Sequence, residues 1–405
     1  MVNKYPKVSI KRSKRNNGTY GNQQTEKRLG FQVQYVPVSI FHTYWHHLSR
    51  NEWDAASFAI PLHTINNHAF HTRRIWKEET MTTRPRVDES RTVAIAGANG
   101  MLGHHLVEAL HASGNRVIAL VRQPSAQHFT SAVELRRWQA SDPVAPVDGA
   151  DAVINLVGNP IFAKPWSPER KQELTQTRLL ATRSLVEGIR KIGGEGRTFI
   201  SSTAVEYTGD TGDRQVDEQA APGTGGFLTE LTQVWEAEAQ HVRETGARLV
   251  LLRQSLVLGR EGGTLAALLP VYRSGFGGTL GPGGQWFSWI HINDAVRLIL
   301  HALDQETITG PFISASPNPV TSREFAETFA HTLHRPRLFP MSRGMMQMVW
   351  GERAALFLDS HRMVPQVALS TGFQFRFPTL SETLSDLLGP HPIPIAQLLQ
   401  EASRK

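Results

Sequence analysis

The sequence predicts an α/β fold with a doubly wound parallel sheet and a smaller C-terminal lobe. The first observation is a short β-branched run, Thr92–Ala96, which is typical of a buried strand. The second is the order of the next segments: a glycine-rich turn, a helical stretch from Met101 to Ser113 and a second apolar run, Arg116–Val121. The third is another buried run, Asp151–Val157, which leads into Gly158. This order of strand, turn, helix and strand indicates the dinucleotide-binding half of a Rossmann fold.

The turn after the first strand has the composition of a pyrophosphate-binding turn. Glycine lets the chain turn sharply, lets the backbone approach a phosphate and lets the helix pack close to the strand. The N-terminus of the following helix offers free N–H groups and a partial positive charge to the phosphates. We therefore predict that this segment binds the cofactor through Gly97, Gly100, Met101, Leu102 and Gly103.

The end of the second strand indicates which dinucleotide is bound. An acidic residue there would bind the ribose 2′-hydroxyl of NAD, but the strand ends in Val121 and Arg122. A guanidinium matches the 2′-phosphate of NADP in both charge and geometry. The alternative is a solvated surface arginine, and the glycine turn favours the cofactor role. We predict NADP as the cofactor.

The next strand and helix add further candidates. Ligands of a doubly wound sheet lie beyond the carboxyl ends of its strands, so Leu156, Val157 and Gly158 are expected to contact the cofactor. The following helix opens with an N-cap serine at 167 and a proline at 168. Arg178 falls on its apolar stripe, a costly place for a charge unless it is paired. The spacing leaves open whether the partner is a carboxylate of the protein or a phosphate of the cofactor or substrate. The apolar residues of that stripe are Leu174, Ala181, Leu185 and Ile189.

Composition excludes several classes of protein. The chain has 405 residues and no cysteine, which rules out disulfides, thiolate zinc sites and cysteine nucleophiles. No apolar run is long enough to span a membrane, and residues 1–15 have charge without an apolar core, so no secretory signal is visible. We expect a cytoplasmic protein. No cluster of His, Asp and Glu has metal-ligand spacing, so no metal is expected, and no nucleophile-elbow pattern is present.

The positive charge belongs to the N-terminal segment. Residues 1–80 hold 12 Lys and Arg against 5 Asp and Glu, and therefore carry the whole net charge of +7. A basic arm that binds nucleic acid is one interpretation, but the segment lacks regularly interleaved aromatic residues. The favoured interpretation is that residues 1–88 form a disordered or non-native extension, with Met81 as the natural start.

Residues 91–388 resemble a known family, the epimerase-family proteins of the atypical extended short-chain dehydrogenase/reductases, often labelled nucleoside-diphosphate-sugar epimerases. The resemblance implies an NADP-like cofactor. It also implies a larger set of cofactor-site residues and favours the cofactor role of Arg178. That set is Val121, Arg122, Leu156, Val157, Glu173, Arg178 and Val257. The segments that carry the resemblance are Gly97–Gly103, Asn155–Ile161, Thr177-Arg178, Arg253, Gly262-Gly263, Gly277-Gly278, Trp289–Asp294, Arg335-Pro336, Gly351-Glu352 and Gly372-Phe373.

The catalytic residues of such enzymes are only partly present. Extended members carry a Ser or Thr after the fifth strand and a Tyr-x-x-x-Lys pair on the next helix, where the lysine lowers the pKa of the tyrosine. Thr203 fills the first position, but Phe227 and Leu231 stand where Tyr and Lys are expected and resemble core residues. Tyr207 is a candidate substitute acid, although a buried, hydrogen-bonded tyrosine is the commoner case. The candidate catalytic residues are thus Thr203 and Tyr207.

A histidine in the second half of the chain offers a further candidate base. His291 lies between Ile290 and Ile292. A histidine flanked in this way is more often a packed structural residue than a base, and we favour the structural interpretation.

The chain divides into an extension and two folded parts. Residues 89–258 are predicted to form the NADP-binding domain, with 290–316 returning to it. Residues 259–289 and 317–392 are assigned to the substrate lobe, and 393–405 to a tail. In this lobe the glycines of 259–289 suit loops that close over a ligand, Ser322–Leu333 predicts an amphipathic helix, and Phe375 and Phe377 alternate with polar residues as in a short strand. Trp286, Phe287 and Trp289 would supply apolar walls or faces on which a base stacks.

Two functions remain open. One is an NADP(H)-dependent oxidoreductase or epimerase-like enzyme that acts on a small organic substrate, with Thr203 holding the substrate oxygen and Tyr207 donating a proton. The other is an NADP-binding sensor or partner-binding protein with little turnover, which the missing Tyr/Lys pair favours. A homodimer is compatible with both functions, and no membrane partner is expected.

Overall fold

The computed structural model describes residues 90–124, 129 and 132–403, so the prediction for residues 1–88 lies outside the described residues. The strands are, in chain order, β1 (Thr92–Ala96), β2 (Arg116–Val121), β3 (Glu134–Arg137), β4 (Ala152–Asn155), β5 (Thr198–Ala204), β6 (Gln215–Val216), β7 (Arg248–Gln254), β8 (Leu256–Leu258), β9 (Trp286–Phe287), β10 (Trp289–His291), β11 (Gly310–Ser314), β12 (Val320–Thr321) and β13 (Arg362–Met363). The α-helices are α1 (Met101–Ala112), α2 (Pro168–Ile192), α3 (Phe227–Gln240), α4 (Gly263–Arg273), α5 (Ile292–Asp304), α6 (Ser322–Thr332), α7 (Arg343–Trp350), α8 (Ala355–Leu358), α9 (Gln366–Ser370), α10 (Leu380–Leu388) and α11 (Ile395–Ser403).

The central sheet has the order β3-β2-β1-β4-β5-β7-β11, and every neighbouring pair in it is parallel. The chain winds outward from β1 in both directions, so the strand order reverses between β1 and β4. That reversal is the position where ligands bind in doubly wound sheets. The predicted fold class is therefore confirmed.

The first strands match the sequence pattern closely because they are buried on both faces. Four of the five residues of β1 are buried, as are five of the six residues of β2. Such strands appear as continuous apolar runs in the sequence. Helix α1 begins at Met101 and ends at Ala112, one residue before the predicted Ser113.

Helix α2 begins where its capping residues predict. The side chain of Ser167 accepts a hydrogen bond from the Arg170 N–H, and a proline occupies the first helical position. All four predicted apolar positions of the stripe, from Leu174 to Ile189, are fully buried. The helix therefore packs on the sheet through the predicted face.

The C-terminal lobe has its own apolar core, and two predictions made there were wrong. This core includes side chains of α4, α6, α7 and α10. The glycine-rich stretch 259–289 is not made of loops alone, because residues 263–273 form α4. Phe375 and Phe377 do not lie in a strand. The Arg376 and Phe377 N–H groups instead donate to the two carboxylate oxygens of Asp294, at 3.0 and 2.8 Å, which satisfies this backbone without a partner strand.

The last residues form a helix and not the predicted tail. Helix α11 spans Ile395–Ser403, and its Ile395 and Leu398 side chains are buried. Ile395 packs in the same core as the residues of β1 and α1. Among the described residues, no helix is both long enough and apolar enough to cross a membrane.

Candidate cofactor and substrate site

The glycine turn between β1 and α1 approaches other backbone so closely that side chains are excluded. Gly97 has φ of 88°, and a Cβ there would lie 2.8 Å from the Leu156 carbonyl carbon. A Cβ at Gly103 would lie 2.2 Å from the Gly97 carbonyl oxygen. Gly100 is the N-cap of α1 and provides no side-chain cap. The N-terminus of α1 is thus left to a ligand, and an anionic pyrophosphate fits this cradle.

Met101 and Leu102 extend from the turn toward the C-terminal lobe. A Cβ at Gly259 would lie 2.6 Å from the Met101 sulfur, so the methionine side chain packs on that glycine. Leu102 packs against the cores of both parts of the molecule. Val257, on β8, also packs against both cores, and its carbonyl oxygen lies near Gly263. These residues join the turn to the lobe.

Arg122 follows the last residue of β2 and is exposed, whereas Val121 is buried. The backbone at this point is fixed, because the Val121 carbonyl accepts a hydrogen bond from the Trp138 N–H at 2.8 Å. The guanidinium is therefore carried at the carboxyl end of β2, the position from which it can contact a ribose 2′-phosphate. This placement is compatible with the predicted role.

A cavity of about 380 Å³ lies beyond the carboxyl ends of β4, β5 and β7. Its walls come from both halves of the chain, and apolar side chains dominate them. The lining residues are Leu156–Ile161, Arg178, Ser202–Glu206, Leu228, Leu231, Thr232, Trp235, Gln254–Leu256, Trp286–Ser288, Leu356, Asp359 and His361. An apolar cavity with a few converging polar groups is typical of a small-molecule site.

Arg178 is the buried cation of this cavity. Only 7% of its surface is exposed, and it donates to the Leu174 and Asn159 carbonyl oxygens at 3.0 and 3.2 Å. Among the described residues no carboxylate pairs with it. Burial, with the charge of Arg170, lowers its pKa to about 10, while Glu206 opposes that shift. Because a buried cation is costly without a counter-charge, this side chain is suited to bind an anionic group of a ligand.

Glu173, one turn before Arg178, is an exposed residue at the edge of this region. Its carboxylate forms an ion pair with Arg170 at 2.7 Å and accepts a hydrogen bond from the Asn159 amide at 3.1 Å. The Arg170 hydrogen bond lowers the pKa of Glu173. Glu173 does not line the cavity, but it holds the side chain of Asn159, which does line it.

Thr203 and Tyr207 both contact a buried ion pair, but only Thr203 lines the cavity. The Thr203 hydroxyl donates to Glu236 at 3.0 Å, and Glu236 forms an ion pair with Arg253 at 2.9 Å. The Arg253 guanidinium stacks on the Tyr207 ring, with its carbon 3.7 Å from the ring centre. The structure therefore brings Thr203 to the cavity and does not bring Tyr207 there. The geometry gives no support to Tyr207 as a proton donor.

Phe227 and Leu231, the two apolar residues at the expected Tyr and Lys positions, differ in burial. Phe227 is only half-buried and packs edge-on against Trp166, with ring centres 5.2 Å apart. Leu231 is buried and lines the cavity. The position where the family pattern carries lysine is thus an apolar wall of the cavity. The prediction of a core position is confirmed for Leu231 and was wrong for Phe227.

His291 has the structural role that the sequence favours. Its Nδ1 caps α5 by accepting from the Asn293 N–H, and its Nε2 lies 3.0 Å from Asp386. The ring also stacks on Phe377 at 3.8 Å. Within the part of the chain that the structure describes, no three His, Asp or Glu side chains are placed to hold a metal ion.

The sequence did not point to Glu206, Gln254, Asp359 or His361, although all four line the cavity. They come from three separate segments, so no local motif joins them. The one available signal was the position of Glu206 and Gln254 at the ends of parallel strands, where ligands bind. Asp359 and His361 had no such signal.

Comparisons with known proteins agree with this geometry. Residues 93–311 match the NAD dependent epimerase/dehydratase family, and residues 342–387 match a domain of unknown function, DUF1731. The chain is 33% identical over 299 residues to the epimerase family protein YfhF of Bacillus subtilis. This alignment covers 73% of this chain and 97% of the relative. It is 36% identical to the epimerase family protein MT2273 of Mycobacterium tuberculosis, over 72% of this chain and 96% of the relative.

A solved structure of a human relative has the same fold. The epimerase family protein SDR39U1, crystallised with NADPH, is 30% identical and superimposes with a TM-score of 0.68 over 74% of this chain and 99% of its own. The family match spans more than half of the chain, and its relatives align over nearly their whole length. This chain belongs to the NAD dependent epimerase/dehydratase family and has its NAD(P)-binding fold.

Proposed function

We propose that this protein is an NADP(H)-dependent oxidoreductase or epimerase-like enzyme that acts on a small organic substrate in the cavity. Gly97, Gly100 and Gly103 would hold the pyrophosphate with the N-terminus of α1, and Arg122 would hold the 2′-phosphate. Bound NADP(H) supplies or accepts a hydride. The protein's own groups bind and orient the substrate and exclude water.

One observation carries this proposal: the segment 156–158 borders both the glycine turn and the cavity. A Cβ at Gly97 would touch the Leu156 backbone at 2.8 Å, while Leu156, Val157 and Gly158 line the cavity. A dinucleotide whose pyrophosphate lies at the turn would therefore extend its nicotinamide along this segment toward the cavity. The cavity is then the place for a substrate.

Two features support the choice of NADP over NAD. The first is Arg122 at the end of β2, where NAD-specific proteins carry an acidic residue. The second is the NADPH in the structure of the human relative, which is 30% identical to this chain. Both favour recognition of a 2′-phosphate by this chain.

The cavity walls indicate a small substrate with an apolar part and an oxygen. Leu231, Trp235 and Phe287 supply apolar surface. Thr203 presents a hydroxyl oxygen whose proton is already donated to Glu236, so it acts toward a substrate as a hydrogen-bond acceptor. Thr203 would therefore hold the hydroxyl form of a substrate oxygen.

A second candidate function is an NADP-binding sensor or partner-binding protein without turnover. The observation that favours it is the apolar pair Phe227 and Leu231 in place of Tyr and Lys. In such a protein the cavity would hold the nicotinamide and no substrate.

Coenzyme preference can be tested by one pair of arginine variants. We expect Arg122→Ala to weaken NADPH binding about tenfold to a hundredfold, the equivalent of the ~1.5–3 kcal/mol of a charged hydrogen bond, and to leave NADH binding unchanged. Arg116→Ala is the matched control, because Arg116 is exposed at the opposite end of the same strand. Fluorescence titration measures both coenzymes. Equal losses for NADPH and NADH would remove the assignment of Arg122.

Turnover separates the two candidate functions. Oxidation of NADPH across a panel of aldehydes and ketones would support the enzyme, and Thr203→Val should then raise KM or lower kcat. A protein that binds NADPH tightly but oxidises none of the panel would favour the sensor. Unchanged kinetics in Thr203→Val would remove the role of Thr203.

A further inference from the structure

The cavity has a wall from the C-terminal lobe that carries two titratable side chains. Asp359 and His361 both line it, and they lie within the stretch 342–387. Asp359 is half-buried, and its carboxylate oxygens have neither a hydrogen bond nor an ion pair among the described residues. His361 is 8% exposed, and its Nδ1 is buried without a hydrogen-bond partner. Neither side chain has a structural role comparable to that of His291.

The backbone of this wall is firmly held. Helix α8 ends at Leu358, and Asp359 has extended backbone angles, φ −76° and ψ 142°. The His361 N–H donates to the Trp286 carbonyl at 2.9 Å, and the Ser288 hydroxyl donates to the His361 carbonyl at 2.6 Å. The segment is thus bonded to the β9 region on one side.

Ser360 anchors the same segment both to residues 210–212 and to β9, where the Trp286 N–H donates to its hydroxyl oxygen at 3.0 Å. Its hydroxyl donates to the Gly212 carbonyl at 2.6 Å, and its N–H donates to the Asp210 carboxylate at 3.1 Å. Ser360 is buried and does not line the cavity. In an extended chain alternate side chains point to opposite faces, so this anchor turns Asp359 and His361 together toward the cavity.

We propose that Asp359 is the proton-transfer residue of the cavity, with His361 beside it on the same wall, in place of the missing Tyr/Lys pair. This inference rests on the proposed oxidoreductase function. When a carbonyl substrate gains a hydride at carbon, the electron pair of the broken C=O π bond moves to the oxygen. The Asp359 carboxyl gives its proton to that oxygen and becomes a carboxylate, which regains a proton from water.

The electrostatic surroundings suit an acid. Burial raises the pKa of Asp359, and the charges of Asp210 and Glu206 add to the increase, while His361 and Arg343 oppose it. Arg178 is a further charged group that lines the cavity. A carboxyl group whose pKa is raised in a cavity is a common form of general acid.

Infrared spectroscopy tests the acid without any cofactor. The difference spectrum between the wild type and Asp359→Asn should contain a protonated-carboxyl band that is lost at a higher pH than the corresponding band of an exposed aspartate. The matched control is Asp148→Asn, since Asp148 is exposed in a surface ion pair with Lys191. A carboxylate signal that titrates at the pH of the control would overturn the proposal.

Kinetics provides the second test. Asp359→Asn should lower kcat by a factor of about 10² or more, the usual contribution of a general acid, and leave the Kd for NADPH unchanged. Asp148→Asn should retain the wild-type rate. A wild-type rate in Asp359→Asn would overturn this inference alone. A wild-type protein that binds NADPH but oxidises no carbonyl compound would overturn the proposed function, and the proton transfer with it.

Discussion

The two ends of the proposed cofactor cleft are built from different parts of the polypeptide. At the glycine turn the chain presents backbone N–H groups without side chains. A side chain has no room there, because a Cβ at Gly103 would lie 2.2 Å from the Gly97 carbonyl oxygen. At the cavity the chain offers side chains from distant segments, such as Thr203, Leu231 and Asp359. The first end depends on the course of the backbone, whereas the second depends on which side chains line it. This difference explains how a family member can keep the coenzyme end and change the residues where Tyr and Lys are expected.

The largest effect should come from a side chain placed in the turn. Gly103→Ala forces a Cβ against the Gly97 carbonyl, moves α1 away from the turn and should abolish measurable NADPH binding. Gly100→Ala should cause a smaller loss, because its Cβ would lie 3.3 Å from the same oxygen. Gly344→Ala is the control, since a Cβ there meets nothing within 4 Å. Coenzyme titration measures all three. Binding retained in Gly103→Ala would show that the turn does not form the site.

The free energy of unfolding should fall when the buried ion pair between Glu236 and Arg253 is broken. Glu236→Gln leaves Arg253 buried without its counter-charge, and both side chains are nearly inaccessible. We expect a loss of about 3–5 kcal/mol in the free energy of unfolding, measured by urea denaturation.

The same helix supplies the control for that experiment. Glu238 pairs with Arg183, whose side chain is 59% exposed, and Glu238→Gln should cost no more than about 1 kcal/mol. Equal losses in the two variants would show that burial of the Glu236–Arg253 pair has no particular importance.

The smallest effect concerns a buried carboxyl group that does not line the cavity, Glu218. Glu218 is 6% exposed and accepts hydrogen bonds from the Ile313 and Val367 N–H groups at one oxygen, while its other oxygen has no partner. Burial raises the pKa of Glu218. Its contribution to stability is therefore present at low pH and is lost as the pH rises through the folded-state pKa.

Removal of the Glu218 charge should restore the stability that is lost at high pH. Glu218→Gln should stabilise the protein by about 1 kcal/mol at pH 8, a typical size for such a change, and by less at pH 4, as measured by urea denaturation at both pH values. The same difference at both pH values would contradict the raised pKa.

The sequence predicted the fold around the glycine turn better than the walls of the cavity, for a physical reason. Strands β1 and β2 and the glycine turn are contiguous, and buried parallel strands appear as apolar runs, so Gly97, Gly103 and Arg122 could all be named in advance. The buried position of Arg178 followed from helical spacing, because a single helix carries its stripe. The cavity walls depend on contacts between residues far apart in the chain. Asp359 and Thr203 line the same cavity only because the lobe folds against the sheet, and no spacing in the sequence encodes that.

Local pattern also failed where side chains replaced backbone partners. The alternation of Phe375 and Phe377 resembles a strand, but the carboxylate of Asp294 takes the backbone hydrogen bonds of this segment. The deciding partner, Asp294, is remote in sequence from Phe375 and Phe377.

Calorimetric titration of the full chain with the four nicotinamide coenzymes, oxidised and reduced, tests the central claim most directly. We expect one molecule of NADPH or NADP⁺ to bind per chain. NADH and NAD⁺ should bind more weakly, because they lack the 2′-phosphate that would pair with Arg122. Folded protein that takes up none of the four would contradict the account.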